Sequence, residues 1–542
     1  MKQSQFIYFL LSILFLFSLW NLGAWGVLES SEARYAEIPR EMLASGDWLM
    51  PQLLGIYHMD KPLMTYWISA VGLEIFGVNA FGARFFLQIA YLLQIFLVYR
   101  IGSLLFQDEN KGRYAAIIYA GLPLVLMSVL NLTTDAFLNT FEILAVYFLV
   151  RYYGQRRVIF IYWFFVALGL ALFTKGPVGI LIPILMIYPI RKIMQIDDRQ
   201  NGWHFGLGTL LMIAMGGAWF IALMIKSELF YHFFIGEQLG DRIFEAEKLQ
   251  RNEPIWYYFA FLPATLVPLV FLLPEAIVHI RKTKTREIRF LFIFGLLIPF
   301  LFFTASSSKL VLYVLPLTMY FALVIGWCID ELDYRRLRKY FYINWIFYLL
   351  LIGGLILFCF GILPDFQIKT TPSTWIAIVV GLGLLGYLII KNSKDSLVLL
   401  SLVMPLSIVP IAKSAMGQME IQINGTGPIA DFIVEENLED QKILVWDKRL
   451  PSLSFELEKP IISIYHRDFS LRRRTEFQED DSWKRNLIDV SDPEGQTVLE
   501  SLVKMPSVFV VRKDRLPSEY EYLISDYSSV EDFDKWLVYF RE

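Results

Sequence analysis

Residues 310–329 read LVLYVLPLTMYFALVIGWCI, twenty consecutive positions without a charge. A helix of that length crosses about 30 Å of hydrocarbon. The two flanks differ. Ser306-Ser307-Ser308-Lys309 precedes the run with a single cation, whereas Arg335, Arg336, Arg338 and Lys339 follow it. Lys and Arg collect at the cytoplasmic ends of membrane spans, so Lys309 is expected on the outer side.

Outward from this run the same pattern recurs. Further hydrophobic stretches cover 6–26, 81–99, 113–130, 136–153, 158–174, 177–190, 205–225, 257–279, 289–305, 341–363, 374–391 and 395–413. Together they predict about thirteen spans. Alternate loops carry Arg100, Lys111 and Arg113; Arg151, Arg156 and Arg157; Arg191, Lys192 and Arg199; Arg281 to Arg289; and Lys391 with Lys394. Loops of opposite parity hold little beyond Lys175, Lys309 and Lys369. The N-terminus is therefore expected in the cytoplasm and, with an odd number of spans, the C-terminus outside. The first span follows Lys2 and lacks a small-x-small cleavage site, and reads as a retained anchor.

Composition agrees. Of 542 residues, 56% are hydrophobic and 19% charged, against roughly 45–50% and about 25% in soluble domains. A net charge of −3 without a basic block argues against a nucleic-acid partner. The two cysteines, Cys328 and Cys359, lie in apolar runs. They exclude a disulfide scaffold, a cysteine zinc site and an iron–sulfur cluster.

Three outer segments are more than turns. Loops at about 27–80 and 226–256 mix charges with aromatics, and from residue 417 the composition turns polar and acidic. In that tail Lys442-Ile443-Leu444-Val445-Trp446, Pro460-Ile461-Ile462-Ser463-Ile464 and Ser507-Val508-Phe509-Val510-Val511 read as strands, and 429–438 and 498–503 as helices. About 125 residues suffice for a small α/β domain. The expected division is a transmembrane part over 1–416 and an extracytoplasmic accessory domain over 417–542.

The first outer loop is dense in charge at membrane depth, where charge is costly. Ser30-Ser31-Glu32-Ala33-Arg34-Tyr35-Ala36-Glu37-Ile38-Pro39-Arg40-Glu41-Met42-Leu43 starts with serines fit to cap a helix and places 35, 38, 42 and 43 on one face. An amphipathic helix along the membrane surface is expected, bent or ended at Pro39. Downstream stand His58, Asp60-Lys61-Pro62 and Tyr66-Trp67; elsewhere on the outer side are Thr133-Thr134-Asp135, Thr174-Lys175-Gly176 and Lys309 with Tyr313. Singly each has a plain reading, as snorkelling charge, helix cap or interfacial belt. Taken together, Arg34, Lys61, Lys175 and Lys309, with the carboxylates Glu32, Asp60 and Asp135, face the leaflet where a lipid-linked phosphate would present itself. Arg and Lys donate charge-assisted hydrogen bonds to phosphate, and a carboxylate serves as a base or holds a divalent cation.

These motifs resemble the bacterial aminoarabinose transferase family, within the wider group that includes protein O-mannosyltransferases. The resemblance rests on Glu32-Ala33-Arg34-Tyr35-Ala36-Glu37, Arg40-Glu41-Met42, Ala44-Ser45-Gly46-Asp47-Trp48, Asp60-Lys61-Pro62, Phe81-Gly82-Ala83-Arg84, Asp135, Thr174-Lys175-Gly176, Ser308-Lys309-Leu310 with Tyr313, and Leu450-Pro451-Ser452-Leu453-Ser454-Phe455. It implies a GT-C-type glycosyltransferase of the inner membrane. The donor would be a sugar on polyprenyl phosphate, and the acceptor lipid A, another glycan or a protein. It also implies that Arg34, Tyr35, Lys61 and Tyr313 bind the donor, that Asp135 and Lys175 line the same cavity, and that Asp60 stands at a position associated with a divalent metal, zinc or magnesium.

One departure bears on mechanism. The family's motif begins Asp-Glu, with the Asp as the favoured catalytic carboxylate, and this chain has Ser31-Glu32. A serine cannot act as that base. Either the acceptor is a phosphate, already anionic, or Glu32 or Asp135 takes the role. A flippase would instead favour charges spread through the bilayer midplane.

Overall fold

The computed structural model describes residues 3–195, 201–241, 253–360, 370–466 and 475–541; part of the second outer loop, 242–252, lies outside them. The chain forms two compact units. One comprises Met1–Asn21 with Leu87–Ser414, the other Leu22–Phe86 with Ala415–Glu542.

The first unit is helical. Among the described residues five helices are long and apolar enough to cross a membrane: Ala80–Phe106 (which starts in the other unit), Arg286–Ala305, Tyr334–Cys359, Pro372–Lys391 and Lys394–Gln418. Three bent pairs raise the number to eight if each is one span: Glu109–Ala120 with Pro123–Leu130, Gly202–Gly216 with Ala218–Lys226, and Tyr257–Thr265 with Leu269–Lys282. Each bend falls at a predictable breaker. Pro123 starts a new helix, Gly216 and Gly217 are adjacent, and Pro268 interrupts the third pair, which turns by 107°. The 310–329 run also breaks. A 3-10 turn, Val311–Val314, precedes the helix Leu317–Glu331, with Pro316 at its start. Proline cannot donate to the preceding turn, so the unbroken span expected there is divided.

The second unit carries a six-stranded sheet ordered β5-β4-β3-β6-β8-β7. Its strands are β3 (Lys442–Trp446), β4 (Ile462–Tyr465), β5 (Leu487–Asp489), β6 (Ser507–Arg512), β7 (Ser529–Phe533) and β8 (Trp536–Phe540). The first four in spatial order run parallel, and β8 and β7 add an antiparallel hairpin at one edge. Leu444, Trp446, Ile464, Phe509 and Val511 form its core with Leu499 and Val503 of the helix Pro493–Lys504. The strands expected at 442–446, 460–464 and 507–511 are β3, β4 and β6. Continuous burial along β3 and β6 marks central parallel strands, whereas the alternation of β8 marks a half-exposed hairpin.

Residues of the first outer loop are built into this same unit. The helix Ser31–Ser45 contains Pro39 without ending there, and Ser30 makes no side-chain cap, contrary to expectation. Glu32, Glu37 and Arg40, which lie outside the expected apolar set of 35, 38, 42 and 43, are buried along with Ala33, Ala36, Ile38 and Met42. Arg40 binds Glu37 in bidentate fashion at 2.6 and 2.7 Å, and Ser454 donates to Glu37 at 2.7 Å. The Arg40–Glu37 pair is local, three residues apart, but what covers it comes from far along the chain: Ser454 on Glu37 and the Glu458 carbonyl on Arg40. A short hairpin follows, β1 (Gln52–Leu53) and β2 (Ile56–Tyr57). Its turn residues Leu54 and Gly55 both have positive φ, the signature of a type I′ turn. Glu41 accepts hydrogen bonds from both of their backbone N–H groups.

Candidate active site

The helices Thr134–Gln155 and Ile159–Lys175 carry the first group of site residues. Thr133 caps the former by accepting from the Asp135 N–H, which starts the helix and sets Asp135 in its first turn. At the end of the latter, Gly176 takes φ +85°, a conformation that disfavours any residue with a Cβ. That turn leaves Lys175 at the helix terminus. Its Nζ lies 2.5 Å from Asp135 Oδ1 and 4.7 Å from the centre of the Tyr313 ring. Asp135 and Lys175 keep a small exposure, 12% and 10% of their side chains, so the pair is reachable but mostly out of water. Tyr313 belongs to the 3-10 turn that Pro316 separates from its helix. Residues 135, 175 and 313, far apart in sequence, therefore meet.

Lys309 is buried and donates to the Glu253 carbonyl at 2.8 Å. Tyr258 donates to the Leu310 carbonyl at 2.9 Å, holding the stretch between Lys309 and Tyr313.

The second unit holds the remaining residues. Arg34 is half-buried and donates to the Ser30 carbonyl at 2.8 Å and to Ser31 Oγ at 3.4 Å. Ser31, standing where the related motif has Asp, thus meets the guanidinium with a neutral hydroxyl. Tyr35 stacks on Tyr66 with ring centres 5.6 Å apart. Tyr66 is buried, and burial reinforced by Tyr35 and Asp60 pushes its phenol well above the ordinary range, so it remains a hydrogen-bond donor. Lys61 donates to the Asp60 carbonyl at 2.9 Å.

Glu32 has a different setting from Asp135, the other carboxylate expected as a base. It is 1% exposed. Its two oxygens accept from Arg84 Nε and Nη2 at 2.7 and 2.8 Å, and one also accepts from the Leu28 N–H. Arg84, itself fully buried, further donates to the carbonyls of Leu22, Trp25 and Gly26. Arg84 belongs to a quoted motif, yet its position at the start of an apolar run offered no hint that it would gather the residues preceding the Ser31–Ser45 helix.

Beside Asp60, the residue expected at a metal position, His58 Nε2 lies 3.3 Å from Asp60 Oδ2. Among the described residues no group of three His, Cys, Asp or Glu side chains is placed to hold an ion. Two protein donors are fewer than a zinc site uses, whereas magnesium is commonly held by one or two carboxylates together with waters and substrate phosphate.

Comparison with known proteins bears on both units. A relative from Sodalis glossinidius, an undecaprenyl phosphate-α-4-amino-4-deoxy-L-arabinose arabinosyl transferase, is 31% identical over 364 residues. That match covers 65% of this chain and 64% of the relative, less than two thirds of its length. A transferase of the same description from Shewanella sediminis is 28% identical over 446 residues, 79% of each chain. The chain is similar to the bacterial aminoarabinose transferases. The profile of the dolichyl-phosphate-mannose-protein mannosyltransferase family matches residues 60–219. The crystal structure of ArnT from Cupriavidus metallidurans bound to undecaprenyl phosphate superimposes with a TM-score of 0.79 at 20% identity, covering 99% of this chain and 98% of that one. The fold is that of this transferase: a helical, multi-pass GT-C-like membrane protein with a small C-terminal sheet domain.

Proposed function

We propose that the chain is an integral membrane glycosyltransferase of the bacterial inner membrane. It would move a sugar, 4-amino-4-deoxy-L-arabinose or another, from a polyprenyl phosphate donor to lipid A or a comparable envelope acceptor at the periplasmic face. The observation that carries this reading is the meeting of Lys175, Asp135 and Tyr313 in a chain similar to arabinosyl transferases along most of its length. The proposed architecture has about thirteen spans, a cytoplasmic N-terminus and amphipathic segments on the outer face. Its transmembrane catalytic part would run over 1–416 and its periplasmic domain over 417–542.

In the reaction, an acceptor oxygen forms a bond to the anomeric carbon while the bond from that carbon to the polyprenyl phosphate oxygen breaks. Negative charge grows on the departing phosphate. Cations already positioned in a mostly dry site stabilise it, usually the largest catalytic contribution. Lys175 has that placement, with Asp135 fixing its ammonium and Tyr313 beneath it. Arg34, Tyr35, Lys61 and Lys309 are assigned to the donor, with Tyr66 supporting Tyr35. A phosphate acceptor is anionic at neutral pH and needs no carboxylate base, which suits Ser31 at the motif's first position. Where the acceptor is a hydroxyl, Asp135 is the carboxylate with access, because both oxygens of Glu32 are already bound.

A second reading keeps the donor class and replaces the acceptor with a protein or glycan; the mannosyltransferase profile over 60–219 favours it. Purified protein in liposomes, supplied with undecaprenyl-phosphate aminoarabinose and either lipid A or acceptor peptides, separates the two by mass spectrometry. Lys175→Ala is expected to lower transfer about 10²–10³-fold. Wild-type turnover by that variant would remove Lys175 from the site.

A further inference from the structure

The apolar helix Ala80–Phe106 carries two fully buried glutamines, Gln88 and Gln94. A primary amide out of water costs free energy unless its donors and acceptor are bonded. Both side chains meet that demand on the same stretch of chain. Gln88 Nε2 donates to the Val129 carbonyl at 2.7 Å. Val129 lies in the last turn of the helix Pro123–Leu130, where carbonyls lack partners within their own helix. Gln94 Nε2 donates to the Ala136 carbonyl at 2.9 Å and to Thr140 Oγ1 at 2.7 Å. Its Oε1 accepts from the Tyr119 hydroxyl at 2.7 Å, and Tyr119 in turn accepts from Asn139 Nδ2 at 2.8 Å.

Asp135 lies inside this bracket. Between Val129 and Ala136 the chain ends one helix, breaks at 131–133 and starts the next, with Asp135 in its first turn. At the rise of an α-helix the two glutamines stand about 9 Å apart on one rod. A stretch pinned to that rod at both ends cannot turn or slide without leaving a buried polar group open. Methionine would fill either position with no polar group to satisfy; what the amides add is direction. The residue they direct has its carboxylate 2.5 Å from Lys175 Nζ. All of these residues belong to the helical unit.

We propose that Gln94 and Gln88 are positioning residues for the transfer reaction, holding 129–136 where Asp135 fixes the Lys175 ammonium toward the departing phosphate. Neither glutamine touches the substrate, and their role rests on the site reading above. Charge that grows only in the transition state is stabilised by groups already in place, and a misplacement of about 1 Å costs up to about 10²-fold. The loss falls on kcat, because Arg34, Tyr35, Lys61 and Lys309, the groups assigned to the donor, take no part in the bracket.

The test uses the full-length protein in lipid nanodiscs, with transfer from undecaprenyl-phosphate aminoarabinose to lipid A followed by mass spectrometry. Gln94→Met is expected to lower kcat about 10- to 100-fold with the donor KM within about twofold of wild type. Gln88→Met, which frees one end only, is expected to lower kcat about three- to tenfold. In a Lys175→Ala background, Gln94→Met should cost less than about a further twofold, since the ammonium it aligns is gone. A variant that merely folds less well would lose its whole factor a second time. Ser407→Ala serves as the structural control: it deletes an equally buried bond, to the Ala377 carbonyl at 2.8 Å. Its thermal midpoint should fall while kcat stays at the wild-type value. Wild-type kcat in Gln94→Met, or a full multiplicative loss in the double variant, overturns the proposal while leaving Lys175 in the site. Should Gln94→Met fail to fold, Gln88→Met with Lys175→Ala runs the same cycle and is judged by the same outcomes. Wild-type turnover by Lys175→Ala alone overturns instead the site reading, and this role of the glutamines with it.

Discussion

Ser454 donates its hydroxyl hydrogen to Glu37 Oε1 across 417 residues of sequence, at 2.7 Å and fully buried. The same oxygen is one of the two that hold Arg40. Nearby, Ser452 N donates to Glu29, Val27 N to Glu456, and Gly26 N to Glu420. The residues leading to the Ser31–Ser45 helix are therefore fastened by acids and serines of the tail, within one compact unit. The tail, expected as an accessory domain, shares one compact unit with residues 22–86, and its loss would strip partners from a row of buried groups.

Ser454→Ala removes a partner from a buried carboxylate while leaving Arg40 in place. The expected cost is about 1–3 kcal/mol. It should appear as a lowered thermal midpoint of the detergent-solubilised protein, and as faster proteolysis within residues 22–86. A stop codon after residue 416 should be far more severe and yield no stable protein. Normal levels and normal melting of the truncated chain would contradict this account of the contacts.

Arg84 and Glu32 form a buried bidentate pair. Arg84→Ala leaves the Glu32 charge buried without its partner, at an expected cost of about 3–5 kcal/mol. Replacing both, Arg84→Met with Glu32→Leu, should recover part of the loss. Stability and transfer activity of Glu32→Gln should fall together. A Glu32→Gln protein that melts normally but transfers nothing would return Glu32 to a catalytic role.

Stability of the sheet-bearing unit should decrease from acid toward alkaline pH. Burial, with Glu37 adding its charge, pushes Glu41 up to about 8. Burial, reinforced by Glu420, pushes Glu456 up to about 7. Both sit near 4.5 in an open chain. Between these values the folded form keeps protons that the unfolded form releases. The stabilisation present below about pH 4.5 is therefore lost as pH rises through about 7 and about 8. Melting temperatures recorded from pH 5 to pH 9 should drop by several degrees, and Glu41→Gln should flatten the curve. A midpoint that climbs over that interval in both proteins would show that these acids are ionised in the folded state.

Ser31→Asp tests the altered motif directly. An aspartate there lies within reach of Arg34 and would pair with its guanidinium. The expected result is a donor KM raised about three- to tenfold, since the cation is partly neutralised, with kcat little changed for a phosphate acceptor. A large gain in kcat would indicate a hydroxyl acceptor in need of a base.

Local chemistry along the chain was enough to establish the membrane class, the apolar runs and the central strands at 442–446 and 507–511. Each of those follows from apolar side chains within one short window, and hydrophobicity and period are local quantities. Proline and glycine could have located the bends at Pro268, Pro316 and Gly217, because what they forbid is local as well. Partnership was decided only in the tertiary structure. The burial of Glu32 and Glu37 in the Ser31–Ser45 helix follows from Arg84 and Ser454, which reach them from 52 and 417 positions away along the chain. Asp135, Lys175 and Tyr313 could be named one by one, but their meeting could not. A buried charge is tolerated when a complementary group reaches it, and that group can come from any point on the chain. Sequence spacing records no such distance; folding creates it.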